Sequence, residues 1–105
     1  MVFIELPAFT RRVNELLPDD EYAGLQSTLV KRPDTGAVIR GGRGLRKLRW
    51  SLPGKGKQGG VRVIYYWAVL REQILLLLIY PKSEQDDLSP SQLRLLRQIV
   101  QEEHG

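Results

Sequence analysis

The fold turns on one segment, Val61-Arg62-Val63-Ile64-Tyr65-Tyr66-Trp67-Ala68-Val69-Leu70-Arg71-Glu72-Gln73-Ile74-Leu75-Leu76-Leu77-Leu78-Ile79-Tyr80. Its first half is rich in β-branched and aromatic residues, which predicts a strand over 61–70. Arg71-Glu72 then provides a tight turn, and 73–80 forms a second strand. The run Ile74-Leu75-Leu76-Leu77-Leu78-Ile79 shows no polar alternation. Such a run marks either a central strand covered on both faces or a buried helix. Its shortness and the close hairpin connection favour the strand, paired antiparallel with its predecessor.

Working towards the N-terminus, the Gly-rich loop 53–60 separates this hairpin from another strand, 45–52. Before it come a short apolar piece, 37–39, and the turn Gly41-Gly42. The chain begins with a short strand over 2–6. Pro7 then suits the first turn of a helix carrying Phe9, Val13, Leu16 and Leu17 at helical spacing. Pro18 interrupts it, and Asp19, Asp20 and Glu21 open a second helix whose inner face is Tyr22, Leu25, Leu29 and Val30. Beyond the hairpin, Ser89-Pro90-Ser91-Gln92 has the form of a capping box, with Ser89 as N-cap and Pro90 at the first helical position. The final helix carries the stripe Leu93, Leu96, Ile99 and Val100. The expected order is β-α-α-β-β-β-α. It describes one α+β domain over 1–105, with an antiparallel sheet, an N-terminal helical hairpin and a C-terminal helix.

Charge is distributed unevenly over this frame. The stretch 40–71 holds nine basic residues and no Asp or Glu, whereas 1–34 and 72–105 each hold six acidic residues. The net charge of +4 therefore conceals a localised positive field. Cations beside glycines and flat rings point to a phosphate-rich partner, RNA above all. The chain has no cysteine, which excludes disulfides, thiolate metal sites and thiol catalysis. No basic leader or long apolar run opens the sequence, so a soluble intracellular protein is expected.

Strand alternation sorts the cations by face. Lys47 and Arg49 share a side with Leu45, opposite Arg46, Leu48 and Trp50. Arg62, Ile64 and Tyr66 share a side on the next strand. Where the register brings these two sides together, one concave site gathers Lys47, Arg49 and Arg62, with Lys55 and Lys57 overhanging from the loop and Lys82 following the last strand. Such a set suits phosphodiester cleavage by an internal 2′-hydroxyl. Arg grips phosphate oxygens in a fork, Lys adds a point charge, and both stabilise the crowded transition state. A lysine whose pKa is lowered by neighbouring cations would serve as base, without a choice among the lysines. Arg43 and Arg46 read as surface charge available to RNA, while Tyr66 and Tyr80 are the aromatic candidates for RNA contact. His104, the one histidine, lies in the tail and excludes a two-histidine mechanism. Glu84, Asp86 and Asp87 read as capping or solubilising residues rather than metal ligands, so neither metal nor cofactor is expected.

Two segments carry a family resemblance. Gly44-Leu45-Arg46-Lys47-Leu48-Arg49-Trp50, followed by Gly54-Lys55-Gly56-Lys57-Gln58-Gly59-Gly60-Val61-Arg62-Val63-Ile64-Tyr65-Tyr66, resembles the HigB branch of the RelE/ParE toxin superfamily. So does Leu77-Leu78-Ile79-Tyr80-Pro81-Lys82-Ser83-Glu84-Gln85-Asp86-Asp87-Leu88-Ser89, and the element order agrees. The resemblance implies a RelE-like fold and the toxin of a type II toxin–antitoxin pair. Its expected activity is metal-independent cleavage of mRNA in the A site of the bacterial 70S ribosome, leaving a 2′,3′-cyclic phosphate and a 5′-hydroxyl. The catalytic set carried over is Lys47, Arg49, Lys55, Lys57, Arg62 and Lys82. Expected partners are the ribosome with its mRNA and a helix-turn-helix antitoxin of the HigA type, which alone would contact operator DNA. The setting would be the bacterial cytoplasm. Where RelE has a functional tyrosine beyond the last strand, this chain has Leu88 and its neighbours, so the resemblance implies that the role is either absent or moved to Tyr80 or Tyr66. The alternatives are a ParE-like inhibitor of DNA gyrase and a non-catalytic RNA- or ribosome-binding module.

Overall fold

The computed structural model describes residues 1–53 and 59–104. It is a small α+β domain in which three helices pack on a five-stranded mixed sheet. In chain order the elements are β1 (Val2–Glu5), α1 (Pro7–Leu16), α2 (Asp19–Lys31), β2 (Ala37–Val38), β3 (Leu45–Trp50), β4 (Val61–Ala68), β5 (Gln73–Pro81) and α3 (Pro90–His104). The strands lie in the order β1-β5-β4-β3-β2.

The antiparallel core β3-β4-β5 follows the expected hairpin logic, and β5 is buried on both faces between β1 and β4. Two expectations need correction. The sheet is not wholly antiparallel, because β1 pairs parallel with β5, setting Val2 opposite Gln73 and Glu5 opposite Leu76. That pairing satisfies the outer backbone edge of β5 but joins distant residues, so it has no local signature. The apolar piece around 37–39 contributes a further strand, β2, whose Ala37 and Val38 pair with Lys47 and Arg46. Between β4 and β5 the turn is a short 3-10 segment, Val69–Arg71, closed by Glu72 in the left-handed region at φ 51°.

The two faces of the sheet bury separate cores. On one, α1 and α2 bring Phe9, Val13, Leu17, Leu25 and Leu29 against Leu48, Val63, Tyr65, Leu76 and Ile79. Val30 is instead exposed, so the inner stripe of α2 ends at Leu29. On the other face, α3 places Leu96 and Val100 over Leu45, Ile64, Leu75 and Leu77. The expected cap is present: Ser89 N–H donates to Gln92 Oε1 (2.9 Å) and Gln92 N–H to Ser89 Oγ (3.2 Å).

A bulge in β5 sets the faces at its far end. Ile64 pairs with Leu78 while Tyr65 pairs with Leu76, which leaves Leu77 as the extra residue. Leu77 and Leu78 both join the α3-side core, and the alternation restarts one step out of phase. Tyr80 is thereby turned to the face of its partner Arg62. Among the described residues, no helix is long and apolar enough to cross a membrane.

Candidate functional site

Helix α3 packs on the face that carries Leu45, Ile64 and Leu75, and the cations gather on the same face towards its Arg49–Arg62 end. The register places Arg49 directly opposite Arg62 and Lys47 opposite Ile64. Lys47, Arg49 and Arg62 therefore share one side of the sheet, an outcome that alternation within each strand allowed and the register decides. Cross-strand neighbours have Cβ atoms about 5 Å apart, and like charges so placed repel. The site must be neutralised by something.

The neutralising group is the segment after β5. Asp86 Oδ1 accepts from Arg62 Nη2 at 3.2 Å, and the Asp87 carboxylate pairs with Lys47 Nζ. Lys47 also donates to the Asp86 carbonyl (3.4 Å), as does the Tyr80 hydroxyl (3.2 Å). From the opposite side, Arg12 grips Glu84 in a fork with bonds of 2.9 and 3.1 Å. Every ion pair among the described residues thus ends on the segment 84–87. The expectation that Glu84, Asp86 and Asp87 merely cap or solubilise is corrected: they form an acidic strap across the cationic end of the sheet. The hydrogen bond from Lys47 holds the Asp87 carboxyl below its usual range, reinforced by the fields of Lys47, Arg49 and Arg62. Arg12 does the same for Glu84.

Among the described residues Arg62 is the one buried charge, only 5% exposed, and its Nε has no hydrogen-bond partner there. An unpartnered buried donor is costly, and the bond from Nη2 to Asp86 offsets only part of the cost of burying this guanidinium. Lys82 follows β5 directly, and its N–H donates to Gly60 O at 3.0 Å, beside the start of β4. It therefore sits at the Arg62 end of the sheet. Lys55 and Lys57 lie outside the described residues.

The RNA-contact candidates are scattered. Tyr80 shares the face of Arg62 but is 1% exposed, so it lies beneath the site rather than offering a ring for stacking. Burial pushes its pKa up to about 12, the Asp87 charge adding to the effect, and the phenol remains a donor at neutral pH. Tyr66 pairs with Leu45 at the α3 end, about 13 Å along β4 from Arg62 by strand geometry. Its ring lies under Gly44, where φ is +99° and a Cβ would come within 2.9 Å of it. Arg46 is on the opposite face, where Nη1 donates to Gly36 O (2.8 Å) and Asp34 O (3.1 Å), pinning the connection into β2. Arg43 occupies the turn before β3, at the other end of that strand from Arg49, with φ 54°. Neither Arg43 nor Arg46 belongs to the cationic cluster.

Beside Lys47 and Arg49 the surface forms a groove of about 480 Å³ between β2–β3 and the start of α3. Ile39, Leu88 and Leu93 give it an aliphatic wall, and Arg40 and Asp87 complete its polar side. Sequence reasoning missed this groove and the acidic strap. The available signal was the acidic cluster Glu84, Asp86 and Asp87 just past the last strand, in a chain whose middle stretch 40–71 is basic and acid-free. Among the described residues no group of His, Cys, Asp and Glu is arranged to hold a metal ion. Compared with models of known protein families, the chain matches none.

Proposed function

We propose that the protein is a metal-independent endoribonuclease toxin with a RelE-like fold, acting on mRNA in the ribosomal A site and neutralised by a cognate antitoxin. One observation carries this reading: Lys47, Arg49 and the buried Arg62 converge on a single face, with Lys82 at the same end of the sheet. Three cations on one face, Lys47 and Arg62 held by Asp87 and Asp86 and Arg49 exposed beside them, suit a dianionic phosphorane-like transition state. The resemblance noted above supplies the substrate and the antitoxin.

In the proposed step the 2′-oxygen attacks the adjacent phosphorus and its proton passes to a base. The O2′–P bond forms, the P–O5′ bond breaks, and O5′ takes a proton to leave as a hydroxyl. Arg62 and Arg49 would hold the non-bridging oxygens, and Lys47 and Lys82 would balance the added charge. Tyr80, kept protonated, orients the Asp86 backbone rather than acting as the base.

The test is 5′-end mapping of ribosome-bound mRNA after brief induction. Arg62→Lys and Lys82→Ala should each lower cleavage by about a hundredfold or more, as expected when a transition-state donor is lost. Full cleavage by the double variant removes the proposed site. Intact mRNA together with DNA damage replaces the reading with gyrase inhibition, and intact mRNA with salt-sensitive ribosome binding replaces it with a binding module.

A further inference from the structure

The groove beside Lys47 and Arg49 adds to those two cations an apolar surface that the cleavage chemistry does not use. An aliphatic wall of Ile39, Leu88 and Leu93 stands next to a cationic edge, and its volume falls within the range of sites for small organic ligands. We propose that this groove is a subsite for a single nucleotide of the bound RNA, its phosphate on Lys47 and Arg49 and its base against the aliphatic wall, with Asp87 as the internal anion that the phosphate displaces. The inference deepens the RNA reading of the site but does not depend on cleavage.

Three observations support it. A nucleotide needs an anion site and an apolar surface side by side, and the groove provides both within one wall-to-edge span. The aromatic candidates do not serve, since Tyr80 is enclosed and Tyr66 lies at the far end of β4, so the base surface must be found elsewhere. Asp87 already shows how an anion is held there: its carboxylate pairs with Lys47 while its side chain stays 78% exposed. A group so exposed can swing into solvent without disturbing the core. Displacing it exchanges one ion pair for another, so the strap weakens phosphate binding instead of forbidding it.

Methyl-detected NMR on the full chain provides the test. The probes are a 2′-O-methyl RNA trinucleotide, whose nucleophilic oxygen is blocked, its counterpart with an abasic centre, and triglutamate. The base-bearing trinucleotide should shift the methyl resonances of Ile39, Leu88 and Leu93, and the abasic form should bind about tenfold more weakly. Asp87→Asn should tighten binding of both RNA probes by about two- to fivefold. Unmoved methyls, equal affinity for the abasic probe, triglutamate binding as tight as RNA, or no gain from Asp87→Asn would each overturn the subsite. Cleavage on ribosomes is read separately. Uncut mRNA with the methyl shifts intact rejects the endonuclease and keeps the subsite; cut mRNA with unmoved methyls does the reverse.

Discussion

The Tyr65 hydroxyl closes the connection between α2 and β2. It donates to Pro33 O at 2.7 Å and accepts from Gly36 N–H at 2.8 Å, inside the core. Gly36 permits this approach, since a Cβ there would lie 2.7 Å from the ring. Tyr65→Phe leaves two buried backbone groups unpaired and should cost about 1–3 kcal/mol in urea unfolding. Tyr80 carries a pH-dependent term. Its phenol ionises near pH 10 in an unfolded chain and at about 12 in the fold, so the fold favours the neutral form. That contribution is complete below about pH 10 and is lost as pH rises through about 12. The urea midpoint should therefore fall more steeply over that interval in the parent than in Tyr80→Phe. At this scale, residue type was legible and partner was not. Alternation sets Tyr65 on the side of its strand opposite Arg62, but nothing local to it announces Pro33 or Gly36.

Elements with local signals were the most legible. The start of α3 is written in Ser89, Pro90 and Gln92, and the expected reciprocal bonds are present. Ser89→Ala should cost about 1 kcal/mol by removing the acceptor for Gln92 N–H, measured by thermal or urea unfolding. Strand β5 shows where such legibility stops. Its unbroken apolar run marks it as a central strand, yet an unpatterned run contains no sign of a bulge. The extra residue, Leu77, shows only in the pairing with β4, and it decides that Tyr80 faces Arg62. The same limit applies to β1, which is short and apolar in sequence but parallel to β5 for reasons of sheet edge. Segment 84–87 looked like ordinary solvated acid because its partners Arg12, Lys47 and Arg62 come from α1, β3 and β4.

Across the whole molecule, the positive field predicted from 40–71 is divided by the fold. Arg46 is turned to the opposite face and Arg43 to the far end of β3, while Lys47, Arg49 and Arg62 are collected and then partly neutralised by the strap. Binding of a short single-stranded RNA should therefore weaken linearly with log salt concentration. Arg49→Ala and Lys82→Ala should each reduce that slope by about 0.7, while Arg43→Ala leaves it nearly unchanged. A titration of fluorescent RNA between low and physiological salt measures all three.

Alternation along the chain, capping chemistry and the uneven charge were enough to determine an α+β domain, to put Lys47 with Arg49 on one side of their strand and to put Arg62 with Tyr66 on one side of the next. They suffice because helix and strand periods are local properties of the backbone. The tertiary structure alone decided the parallel edge strand, the phase of β5 beyond Leu77, the burial of Tyr80 and the closure of Asp86 and Asp87 over the cations. Each of these depends on which distant segments meet, and Coulomb attraction or a shared backbone edge acts only once the chain has brought them together.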